Sequence, residues 1–271
     1  MTAETTSRDN AALRALFSLP PIQPSTSTAL TVPEAPAPLV VTGDRELDAV
    51  LWLRDCITTA HPVLIEKALE TFKKVKTPAD ELEKRYTAYL ARLSGNNFGA
   101  VLKAFGFADL ESLAKSSVEK SAQQHDAVAR FGSIENLLKD IPAETRCKAA
   151  LRGLKRVKRS DWPFPEYDAA QADSRFEQSP DLAVHTLADC IFARSFGNTL
   201  YWLRHACSDN AGDHWDQFQE HQDYCFRSMA RIPPNSKAEA LAVLDYLDAE
   251  EAHDHTESPA ILRNLVAGGW K

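Results

Sequence analysis

Residues 77–97 read TPADELEKRYTAYLARLSGNN, and this stretch decides the fold class. Thr77 stands where a helix cap belongs, Pro78 suits a first turn that needs no intrahelical N–H, and Asp80 faces the positive end of the helix dipole. The apolar spacing runs through Tyr86 and Leu90 to Leu93 and stops at Ser94-Gly95-Asn96-Asn97. A capped start, a 3.6-residue rhythm and a glycine stop predict one amphipathic helix.

The same grammar extends in both directions. Upstream, Asp44 precedes a segment with Leu47, Val50 and Leu51 on one face, and Pro62 opens a second with Val63, Leu64, Ala68 and Phe72. Downstream come a short apolar helix at Phe98–Phe105 and a longer one from about Asp109. Ser133 and Pro142 start two more. Periodicity resumes after Asp181 and runs through Leu187, Cys190 and Ile191 toward Tyr201 and Leu203, with a break expected near Ser195–Asn198 because Gly197 is a poor helix former. Trp215, Phe218, Cys225, Phe226 and Met229 mark another helical face. Ser236-Lys237-Ala238-Glu239 reads as a capping box, and Ser258-Pro259 starts a last helix before Gly268-Gly269. Trp52, Phe72, Trp202, Trp215, Phe218 and Phe226 are assigned to the core. Leu39-Val40-Val41 is too short for a strand, and no repeat of solenoid length occurs. The reading is an all-α chain of one large or two small helical bundles.

Two segments break the rhythm. Residues 20–38, PPIQPSTSTALTVPEAPAP, cannot bury enough apolar area to offset their ordering entropy, so residues 1–43 are expected to form a disordered Pro/Thr-rich arm. Within it, Leu13, Leu16 and Phe17 fall at helical spacing and are the candidate contacts for a protein partner's groove. Between Ser160 and Pro180, Trp162-Pro163-Phe164-Pro165 excludes a continuous helix. Residues 161–180 are therefore expected to link a helical half at 44–160 to another at 181–271.

The chain has 271 residues, 44% hydrophobic and 25% charged, which excludes collagen-like, mucin-like and wholly disordered classes. No run approaches the roughly 20 apolar residues of a membrane span, and Met1–Asn10 lacks the pattern of a secretory signal. Five widely spaced cysteines without a C-x-x-C pair point to a reducing, cytoplasmic setting.

Charge is distributed unevenly. Residues 141–160 carry Arg146, Lys148, Arg152, Lys155, Arg156, Lys158 and Arg159 against Glu144 alone, a local +6 in a chain of net charge −7. On a continuous helix, Lys148, Arg152, Lys155, Arg156 and Arg159 share one side, opposite Cys147, Ala150, Leu151, Leu154 and Val157. Such a stripe suits phosphate backbones or an acidic protein surface, and Trp162 follows it as a stacking surface. The expected function is that of a non-enzymatic accessory or regulatory protein that binds nucleic acid or another polyanion through residues 146–159. A protein–protein adaptor using the arm, or a metal-dependent helical enzyme, is the competing class.

Chemistry-bearing motifs are sparse. Glu250, Glu251, His253, Asp254, His255 and Glu257 gather imidazoles and carboxylates, but His253 and His255, two apart, diverge on a helix. His214 and His221 stand about 10 Å apart along a helix, too far to share a metal. His185 and Asp189 could pair one turn apart. No nucleophile elbow, phosphate-binding glycine loop or dinucleotide fingerprint is present, so no catalytic residue, metal ligand or cofactor is assigned.

Overall fold

The computed structural model describes residues 9–24, 34–95, 97–158, 164–208 and 214–268. Among them the fold is all-α, and the one β-bridge pairs Val157 with Glu166. The chain divides into two compact units, residues 24–125 and residues 1–23 with 126–271, and not at 161–180.

In the unit of residues 24–125, α2 (Arg45–Thr58), α3 (Pro62–Phe72), α4 (Ala79–Ser94) and α5 (Asn97–Ala104) precede α6 (Leu110–Phe131), whose last turns belong to the other unit. Asp44 caps α2 through its side chain, which accepts from the N–H groups of Glu46 and Leu47. Thr77 does not cap α4. Its hydroxyl donates to Glu46 at 2.8 Å, and Pro78 stands at the helix entry. Gly95 ends α4 in the left-handed region at φ 63°, where the sequence places the stop. Two small apolar clusters hold this unit: Leu53, Cys56, Ile57, Ala68, Leu110 and Ala114 in one, and Leu47, Val50, Leu82, Phe107 and Ala108 in the other.

The other unit has one large core. It contains α1 (Ala11–Leu16), α7 (Ile134–Leu137), α8 (Pro142–Ala150), α9 (Ala169–Glu177), α10 (Leu187–Cys207), α11 (Asp216–Met229), α12 (Lys237–Ala249) and α13 (Ser258–Ala267). The helix α10 runs without a break. Gly197 faces the end of the Gln222 side chain on α11: a Cβ there would lie 2.4 Å from Gln222 Oε1 and would displace that amide. Thr186 caps α10 and Ser236 caps α12, but Glu239 accepts from the N–H of Asn235, so the expected capping box is displaced by one residue. The expected linker 161–180 contains α9, capped by Asp168 and burying Ala172 and Phe176. Trp202 and Trp215, assigned to the core, are 47% and 51% exposed.

The segment read as an arm is partly built into this core. Asn10 caps α1, and its side-chain amide donates to the carbonyls of Pro180 and Ala183, each at 2.7 Å. The Asn10 N–H and the Arg14 guanidinium both donate to Asp189, at 2.9 and 3.0 Å. Leu13 and Phe17 are buried, with the Phe17 ring 5.5 Å from Phe196, 5.9 Å from Phe218 and 4.8 Å from His221. Leu16 packs at the edge of the same core. The apolar face expected to meet a partner is consumed within the chain, because burying it here satisfies both its side chains and the polar groups around Asp189.

Candidate polyanion-binding loop

The basic segment is a helix followed by a loop. The helix α8 ends at Ala150, and residues 151–153 turn through Gly153 at φ 81°, a conformation that disfavours any residue with a Cβ. Leu151 is buried and Leu154 is partly so, which pins the turn to the core. Beyond them, the N–H of Val157 donates to Glu166 O at 2.7 Å and the N–H of Glu166 returns a bond of 3.0 Å. The expected stripe over 146–159 therefore does not exist as one helical face.

The cations separate into two groups. Arg146 holds Asp181 with two parallel hydrogen bonds of 2.5 and 2.7 Å, and that pairing keeps the Asp181 carboxyl below its ordinary range. Lys148 lies 2.6 Å from Asp140 and 4.1 Å above the Trp215 ring. Arg156 pairs with Asp216. By contrast, Arg152, Lys155 and Lys158 are exposed, and among the described residues no carboxylate lies within ion-pair distance of them. Arg159 and Trp162 lie outside the described residues. Of the neighbouring aromatics, Phe164 is 65% exposed, whereas the Tyr167 hydroxyl accepts from Gln217 at 2.9 Å.

Arg156, Asp216 and Phe164 are among the residues that line a cleft of about 700 Å³. Its carboxylates, from Glu166, Asp216, Glu220, Asp223 and Glu257, outnumber the guanidinium groups of Arg156, Arg194 and Arg227. Burial pushes the Glu220 and Asp223 carboxyls up, as expected for charge held away from water. Arg227 binds Glu220 at 2.7 Å and Asp173 at 2.6 Å, and Arg194 donates to Gln222 O at 2.9 Å. With its cations engaged and its acids in excess, the cleft opposes phosphate, so the loop does not gain from it.

The histidines are dispersed. The His221 ring is fully enclosed, 2.8 Å from Leu182 O through Nε2 and 3.7 Å from Cys225 Sγ through Nδ1. Burial pulls its pKa down to about 4, so the neutral ring donates to Leu182 from Nε2 and leaves Nδ1 for the thiol. His185 meets Asp189 through its backbone N–H at 3.1 Å, not through its ring. His214 Nε2 lies 2.9 Å from Gly197 O, His253 pairs with Asp248 at 2.6 Å, and the His255 ring packs 5.1 Å from Phe226. Among the described residues, no three His, Cys, Asp or Glu side chains assemble as a metal-holding group. In the same set, no helix is long and apolar enough to cross a membrane.

Sequence reasoning missed the Asp189 anchor, the cleft and the neutralising partners Asp140, Asp181 and Asp216. Only Asp140 is near the basic segment in sequence, eight residues from Lys148. Comparison of the chain with protein-family models, with curated proteins and with solved structures gave no match in any of the three.

Proposed function

We propose that this protein acts by binding, and that the loop 151–158 contacts the phosphate backbone of a nucleic acid through Arg152, Lys155 and Lys158. One observation carries the reading: these three cations are exposed without a carboxylate partner among the described residues, while Arg146, Lys148 and Arg156 each have one. A cation already paired gains little from a phosphate, whereas an unpaired one releases a condensed counterion on binding.

Fluorescence anisotropy with labelled duplex and single-stranded oligonucleotides at low salt tests this. Wild type binds, and the triple variant Arg152→Glu, Lys155→Glu, Lys158→Glu loses binding while keeping its helical circular dichroism. Arg146→Ala, which removes a neutralised cation, stays within about twofold of wild type. Failure of wild type to bind either oligonucleotide at low salt overturns the proposal.

A further inference from the structure

The helix α5 is packed inside out for a helix at a protein surface. Its inward positions are Ala100 and Ala104, at 1% and 0% exposure, while Phe98, Val101, Leu102 and Phe105 are 74%, 53%, 63% and 81% exposed. These four fall at i, i+3, i+4 and i+7, one continuous apolar face. Leu93, at the end of α4, adds a fifth apolar side chain at 69% exposure. Taking about 200 Å² for a fully exposed Phe and somewhat less for Leu and Val, the five present about 600 Å² of apolar surface. That is at the upper end of what the largest patch on a monomer shows.

A groove of about 620 Å³ lies beside this ridge, along α4. Thr87, Ala88, Ala91 and Val101 line it together with Asp80, Glu83 and Lys84, and Lys84 pairs with Asp80 at 3.5 Å. A ridge of large side chains next to a groove of small ones is self-complementary. Under a two-fold axis, the ridge of each copy enters the groove of the other, which is the defining property of an isologous interface. Two patches of this size bury about 1,200 Å², the lower bound of a stable specific interface.

From these observations we infer that the α4–α5 hairpin is a self-association surface whose occupant is a second copy of this chain. A bilayer is the poorer fit, because a flat lipid surface covers the ridge but has no side chains to enter the neighbouring groove.

Sedimentation equilibrium of the full chain from low to high micromolar concentration tests the inference. The expected mass is twice the 30.0 kDa of one chain, and the double variant Phe98→Glu, Phe105→Glu should weaken association by about a hundredfold or more with unchanged circular dichroism. Ala88→Trp, which fills the groove and leaves the ridge intact, should also return the monomer. Mixing Phe105→Cys with Ala88→Cys under mild oxidation should give a crosslinked heterodimer that wild type, with its own thiols, does not. A monomeric wild type at high micromolar concentration overturns the inference. So does a dimer that survives both substitutions, or a monomer that sediments with phosphatidylcholine/phosphatidylserine vesicles through Phe98 and Phe105.

Discussion

Phe17 and Phe105 make an instructive pair. Phe17 follows the six-residue α1 and Phe105 the eight-residue α5, yet one is 1% exposed and the other 81%. Composition does not separate them, since both segments are short, apolar and helical in rhythm. The difference lies in the polar groups around each. Asn10 and Arg14 fix α1 on Asp189 and on the Pro180 and Ala183 carbonyls, and the phenyl ring then fills a space lined by Phe196, Phe218 and His221. Among the described residues the large side chains of α5 meet no such receiving surface, and its alanines do the inward packing. An amphipathic pattern states that a face seeks cover. The cover itself is decided by distant residues.

This contrast can be broken by mutation. Phe17→Ala should cost about 3–5 kcal/mol of stability, because it empties a fully enclosed aromatic site. Urea denaturation measures it, and a cost under about 1 kcal/mol would return α1 to the status of an arm. A similar loss of about 3–5 kcal/mol is expected for Arg204→Ala. That guanidinium meets Glu144 at 2.6 and 2.8 Å with both side chains buried, and it also donates to the Leu137 and Lys139 carbonyls. Removing it strands the Glu144 charge. Replacing both partners by leucine should recover much of the loss, which separates a stranded charge from a lost contact.

The pH dependence is next in size. His221 is held neutral in the fold, with its pKa pulled from 6.5 to about 4, so the unfolded chain takes up the proton first. Stability contributed by this group is present above pH 6.5 and is lost as pH falls toward 4, by about 3 kcal/mol in all. The half-buried carboxyls of Glu220 and Asp223 are raised by desolvation and act in the opposite direction. The test is therefore the difference in unfolding free energy between wild type and His221→Gln across that range; two parallel curves would contradict the assignment. The smallest effect belongs to Phe105→Ser, expected within about 0.5 kcal/mol at concentrations where the chain is monomeric. A loss as large as that of Phe17→Ala would mean that α5 is covered after all.

Much of the secondary structure was legible, because caps and apolar periods are local. The Gly95 stop, the Ser133 start and the run of α11 follow from neighbouring residues. The continuity of α10 was not legible: Gly197 is poor for helix propensity, yet it stands in mid-helix against the side-chain amide of Gln222, a residue 25 positions away. The extent of the basic helix failed for a related reason. Periodicity favoured one face over 146–159, while Gly153 and the packing of Leu151 and Leu154 ended it. Of the candidate cations, the sequence identified the cluster but not its partners. Asp181 and Asp216 lie 35 and 60 residues from the side chains they neutralise.

The functional account stands on three cations, and the salt dependence of binding counts them. A plot of log K against log salt for duplex DNA should have a slope of about −2.7 for wild type, and each of Arg152→Ala, Lys155→Ala and Lys158→Ala should reduce its magnitude by about 0.9. A slope unchanged by all three substitutions, or reduced instead by Arg146→Ala or Lys148→Ala, would place the contact elsewhere and contradict the account.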